Sequence, residues 1–122
     1  MKYIIVYRAV QDNYEIIAID ETKDLFRELT KVLEVPIVEI VKTQRMLDLT
    51  KDENNKFMCM VIDDMGALRD NPVRNTLGSY LYGDTIVGDI ALCKYDLDAY
   101  EDVVLPFDSI DEALEWASKV LV

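Results

Sequence analysis

Between Asn71 and Tyr95 the chain reads NPVRNTLGSYLYGDTIVGDIALCKY, and this one stretch carries both hydrophobic periods that a mixed fold needs. Asn71 with Pro72 supplies a side-chain acceptor and a preset φ, the means of opening a helix, and Val73, Leu77, Tyr80 and Leu81 follow at helical spacing. Gly83 ends that helix, because glycine takes positive φ without steric cost, and Asp84 supports the turn. From Thr85 to Tyr95 the pattern alternates as a strand. Val87, Asp89, Ala91, Cys93 and Tyr95 share one face, and Ile86, Gly88, Ile90, Leu92 and Lys94 the other. Gly88 interrupts the run and marks a bulge or a close approach by another group. Asp89, set among apolar neighbours, is expected either exposed on an open face or buried and paired.

The same two periods recur along the chain. Lys2 to Arg8 and Tyr14 to Ile19 read as strands joined by a hairpin at Gln11-Asp12-Asn13, and their continuous apolar content implies burial on both faces. Asp20 or Thr22 then caps a helix over residues 22 to 33, whose Leu25, Phe26, Leu29, Val32 and Leu33 form an amphipathic stripe ended by Pro36. Ile37 to Lys42 is a short β-branched strand and Phe57 to Ile62 a methionine-rich one. Met46 to Asn55, polar and turn-rich, is expected to be an exposed mobile loop. After a short final strand at Val103 to Leu105 comes a helix over residues 109 to 120. Ser109 and Glu112 form its capping box, and Ile110, Ala113, Leu114, Ala117, Val120 and Leu121 its buried stripe. The expected fold is α+β: one domain spanning residues 1–122, a mostly antiparallel sheet of about five strands, two main helices and a short third.

Length and charge bound the function. A chain of 122 residues buries about two-thirds of its unfolded surface in one core. Thirteen basic residues against 24 acidic ones give a net charge of −11, which opposes nucleic acid and anionic membranes as partners. No run approaches the ~20 apolar residues of a membrane span, and Ile4 to Val6 is too short for a signal-peptide core, so a cytoplasmic location is expected. Cys59 and Cys93 are too few for a disulfide framework and lie in strands, where a thiol behaves as a small buried hydrophobe.

Catalytic chemistry has little to stand on. The chain has no His, no phosphate-binding glycine loop, and no base near Ser79, Ser109 or either cysteine, so no catalytic residue and no cofactor is assigned. Asp63-Asp64 and Asp84 with Asp89 are the only carboxylate groupings that resemble a metal site. Adjacent strand-end residues point apart and turn chemistry accounts for Asp63, Asp64 and Asp84, so no metal is expected. Arg69 and Arg74 with Asn75, Tyr80 and Tyr82 have the chemistry to stack a base and hold its phosphate, although a small core needs such aromatics as well. Asp96 to Glu115 holds eight acidic residues and no basic one, and its Asp96, Asp98, Glu101, Asp102 and Glu115 are the candidate contacts to a basic partner. A solvated loop and a well-capped helix fit the same residues.

A D-D-M-G turn at Asp63 to Gly66, an asparagine at the start of a short helix near Asn75, and Y-G-D-x-I-V-G-D at Tyr82 to Asp89 follow one another in order. Over residues 25 to 95 this resembles a small uncharacterised domain family of phages and mobile elements of Gram-positive bacteria. Leu29 with Val35-Pro36-Ile37-Val38-Glu39 is similar to that family's helix and V-G-G-x-I-E strand, with Pro36 and Ile37 where glycines are usual. The family has no assigned activity, so the resemblance implies fold and setting alone. Three functions fit: a non-catalytic accessory protein that binds a basic host protein, a defence nuclease being one such target; a binder of a nucleotide signal; or an assembly module. A homodimer is also expected, because Lys2 to Arg8 carries few charges to blunt a sheet edge.

Overall fold

The two most apolar runs, Lys2–Arg8 (β1) and Lys56–Asp63 (β4), flank a third, Ile90–Asp96 (β5), at the centre of an antiparallel sheet. In the computed structural model, which describes residues 1–121, the strand order is β2-β1-β5-β4-β3, with Asn13–Ile19 as β2 and Val38–Val41 as β3. A two-residue strand, Val104–Leu105 (β6), pairs with β5 beside the start of β1. Ile4, Ile5, Val6, Met58, Cys59, Met60, Val61, Ile90, Leu92 and Cys93 are fully enclosed, so the central strands are covered on both faces. Four helices provide the cover: Leu25–Leu33 (α1), Gln44–Thr50 (α2), Thr76–Tyr82 (α3) and Ile110–Ala117 (α4). The α+β single-domain expectation therefore describes this chain.

The pairing register assigns the layers. Ile5↔Leu92 and Tyr7↔Ile90 put these residues on the face that carries Lys94, and α4 reaches that face through the Glu112–Lys94 ion pair. α3 joins it, since Tyr7, Leu77 and Val120 line one groove, and α2 packs on α3. Val6, Val61, Ala91, Cys59 and Cys93 lie on the opposite face and are equally buried. α1, which crosses from the β2 edge to the β3 edge over β5, supplies that second cover.

Several local expectations are corrected. Helix α3 opens at Asn75, whose side chain accepts from Gly78 N–H; Asn71 instead sits at φ 51° in the preceding loop, with Val73 exposed. β5 begins at Ile90 rather than Thr85, because Gly88 turns through φ 81° and only Val87 makes a bridge, to Arg74. Met46 to Thr50 belong to helix α2, capped by Thr43, with Met46 fully buried and Thr50 tying Met46 C=O to Met58 N–H, and only Lys51 to Asn55 forms the expected turn. The apolar anchors are few there, and a threonine does part of the core's work through hydrogen bonds.

Helix α1 starts at Leu25 after Asp24, not at Asp20 or Thr22, which bond each other in a separate turn. It ends at Leu33, where Glu34 adopts the left-handed conformation before Pro36 is reached. On α4 the buried residues are Ala113, Trp116 and Ala117, with Val120 buried in the turn after it, while Ile110 and Leu114 are half exposed because Trp116 is the side chain that packs on Phe107. β1 is interior, and β2 is the edge strand with one half-exposed side, so the edge assigned to Lys2–Arg8 belongs to its neighbour.

Candidate functional site

At the end of β5 the chain turns through residues 97–103 before β6 returns along it. Asp96 N–H donates to Val103 C=O at 3.0 Å and Asp98 N–H to the Asp96 carboxylate at 3.0 Å, a local bond that short acidic side chains favour in turns. The turn between α2 and β4 lies against it: Leu97 N–H donates to Asn55 C=O at 2.9 Å, and Asn55 Nδ2 to Asp98 Oδ1 at 2.9 Å. Asn55 holds φ 57°, and Asp52 Oδ1 accepts from both Asn54 and Lys56 N–H. Two turns far apart in sequence thus form one surface, carrying Asp52, Glu53, Asp96, Asp98, Glu101 and Asp102. Tyr100 projects from it completely exposed, with Leu97 half exposed beside it.

The far side of this turn is fastened to the sheet. The Tyr95 hydroxyl, on a buried ring, donates to Asp102, and Lys42 Nζ lies 3.2 Å from that hydroxyl, 3.5 Å from Asp102 and 4.4 Å from the ring centre. The Tyr95 hydrogen bond, then Lys42, hold the Asp102 carboxyl below the usual range, and Lys42 is raised chiefly by its bond to Tyr95. Further along, Asp108 accepts from Lys2 Nζ at 2.7 Å, which lowers its pKa, and Glu112 pairs with the buried Lys94 at 2.8 Å. The acidic stretch is therefore partly compensated by Lys94, just before it, and by Lys2 and Lys42, which are remote in sequence. Glu101 is exposed and unpaired among the described residues. So is Glu115, which stands apart on α4 with no bond to the turn.

The Arg/Tyr group does not converge. Arg69 clamps Asp63 through Nε at 2.9 Å and Nη2 at 3.2 Å, which lowers the Asp63 pKa, and lines a cavity of about 260 Å³ with Asn71, Val73, Gly88 and Asp89. Tyr82 faces a different groove of about 420 Å³ with Glu39 and Lys42. Tyr80 lines a third, and the Arg45 guanidinium lies over its ring at 5.1 Å. Arg74 is exposed and contributes its backbone to the Val87 bridge.

Asn75 is fully buried and fully used. Its Nδ2 donates to Tyr7 C=O at 3.0 Å and Gly88 C=O at 2.9 Å, while its Oδ1 accepts from Gly78 N–H at 2.8 Å. Gly78 is glycine for space, since a Cβ there would stand 3.0 Å from Ile86 and 3.3 Å from Asn75 Oδ1. Asn75 is a junction of β1, α3 and the Gly88 turn, not a ligand contact.

The carboxylate groupings also resolve. Asp89 is partly exposed and paired, accepting from Arg8 Nη1 at 3.0 Å and Ala9 N–H at 2.9 Å, and Asp84 accepts from Thr85 N–H at 2.7 Å. Among the described residues no three His, Cys, Asp or Glu side chains gather closely enough to hold a metal ion. No described helix is long and apolar enough to cross a membrane. Cys59 and Cys93 are directly opposed on β4 and β5, both free and buried. Burial pushes the Cys59 thiol up to about 12 and raises Cys93 as well.

In comparisons with known proteins, the chain matches no sequence-family profile and no curated protein. A crystal structure of the small RNA methyltransferase HEN1 is similar in fold, with a TM-score of 0.57 at 14% identity over 92% of this chain. The chain spans 15% of that protein's length, and at this identity the likeness concerns the fold alone.

Proposed function

We propose that this chain is a non-catalytic accessory protein of a phage or Gram-positive mobile element, acting in the cytoplasm by binding a basic host protein through the turn at residues 96–102. The observation that carries the proposal is the fully exposed Tyr100, with Leu97, on a surface rimmed by Asp52, Glu53, Asp96, Asp98 and Glu101. An exposed tyrosine with its polar tip is a favoured anchor at protein interfaces. Carboxylates around it attract a basic target over about 8 Å at physiological salt and set the encounter rate. The fastening of Asp102 to Tyr95 and Lys42 holds the turn in one shape, so less order is lost on binding.

The same geometry selects the variant. Asp98 and Asp102 hold the turn together, so their reversal would disturb the loop itself, whereas Tyr100 and Glu101 have only solvent around them. The immobilised chain and a Tyr100→Ala/Glu101→Lys variant are each incubated with cytosol of a Gram-positive host. A basic protein retained by the first and lost by the second is the expected result, and equal retention by both contradicts the proposal.

A further inference from the structure

The β2 edge has its own pairing capacity. Tyr3 exchanges main-chain bonds with Phe107 at 2.9 and 2.8 Å, on the side of β1 away from β2. Strand alternation then turns Ile4 and Val6 toward β2, where they meet Ile17 and Glu15. The main-chain groups of Tyr14, Ile16 and Ala18 therefore point outward. Asn13 Oδ1 takes the Tyr14 N–H at 2.8 Å, but Ile16 and Ala18 N–H and the three carbonyls have no hydrogen-bond partner among the described residues.

Nothing on this edge blunts it in the usual ways. β2 is seven residues long, without Pro or Lys, and its one charged side chain, Glu15, is already bonded by Arg8 at 2.8 Å. The opposite edge, β3, is four residues long, carries Glu39, which has no ion-pair partner among the described residues, and follows Pro36. Charge decides the occupant. Two copies of a chain of net charge −11 repel each other least at neutral surface, and β2 is such a strip; a basic partner gains nothing from it.

We infer that β2 pairs antiparallel with β2 of a second copy of this chain about a two-fold axis at Ile16, joining two sheets into one. Ile16 exchanges both main-chain bonds with its own copy, and Ala18 N–H reaches the second copy's Tyr14 C=O. Such a pairing is isologous, because each residue meets its symmetry mate's partner. Tyr14, Ile16 and Ala18 share the face of Ile5 and Tyr7, so their side chains meet across the axis beside the apolar groove of about 460 Å³ that Tyr14 and Tyr80 line. An edge alone covers less than the roughly 800 Å² per partner of tight complexes, which places the dimer in the concentration-dependent class. The acidic turn lies toward the β3 side, so both copies keep it free.

Sedimentation equilibrium of the full chain tests this without any host protein, and so independently of the proposed function. The expected mass rises from 14.1 kDa toward twice that value across the micromolar range. Ala18→Pro removes an outward N–H and leaves the β1 ladder intact, a change edge strands tolerate, and should weaken association about a hundredfold. A folded Ala18→Pro chain that dimerises as well as the parent overturns the inference, as does a parent that stays at one chain mass. Should the variant not fold, amide exchange of the parent decides. Ile16 and Ala18 N–H must gain protection as concentration rises, and concentration-independent exchange refutes the pairing.

Discussion

Replacing Asn75 with alanine should destabilise the chain more than any exposed substitution, since three hydrogen bonds converge on a side chain with no solvent access. Losing the cap of α3 costs about 1 kcal/mol. Each of the two amide-donated bonds, to Tyr7 and Gly88 carbonyls, adds about 1 kcal/mol, and more where the stranded carbonyl stays dry. The sum, about 3 to 4 kcal/mol, is a large share of the roughly 5–15 kcal/mol that holds a domain together. For a domain of this size it corresponds to a midpoint lowered by about 10 to 15 °C. Asn75→Ser keeps an oxygen for Gly78 N–H but loses both donors, and should fall between, at about 2 kcal/mol. Urea unfolding followed by circular dichroism, with an unchanged m value, gives both numbers. A loss below about 1 kcal/mol for Asn75→Ala would refute the reading of Asn75 as a structural junction and return it to the ligand-contact role.

Two further outcomes follow from titratable groups. Cys59 and Cys93, with thiols raised by burial, should react with a thiol reagent at neutral pH only as fast as the chain unfolds; rapid labelling of native protein would contradict this. Asp63, Asp102 and Asp108 have lowered pKa values, through Arg69, Tyr95 and Lys2 respectively. As pH drops the unfolded chain takes up protons at these groups first. Their stabilisation is thus full above the ordinary Asp value of about 3.9 and lost as pH falls through the lower folded values. Asp63→Asn should flatten that acid limb in pH-dependent unfolding, and a limb identical to the parent's would show that the Arg69 pair does not contribute.

Elements that depend on neighbours in sequence were legible and those that depend on distant residues were not. The Ser109 cap is local and stands as expected, with Glu112 N–H bonded to Ser109 Oγ at 3.0 Å. The strands β1, β2 and β4 announced themselves by apolar runs. Which of them formed the edge did not, because strand order is a property of the whole sheet. The acidic stretch looked uncompensated for the same reason: Lys42 is 60 positions from Asp102 and Lys2 106 from Asp108. Alternation alone places Tyr95 on its strand face, yet its hydroxyl's bond to Asp102 forms only once the turn closes. Asn75 reads from the sequence as a ligand contact, whereas the fold buries it and engages its amide in three hydrogen bonds. A polar residue at a helix start reads alike whether it faces solvent or the core, and the features that separate them, the close approach at Gly78 and the positive φ of Gly88, exist only in the folded chain.

The most direct test of the acidic-turn account is the association rate with the captured basic protein, measured by surface plasmon resonance over a salt series. The parent's on-rate should fall steeply as salt rises. Glu101→Lys should lower the on-rate at low salt, and Tyr100→Ala should chiefly speed dissociation. An on-rate independent of salt, or unchanged by Glu101→Lys, would contradict it.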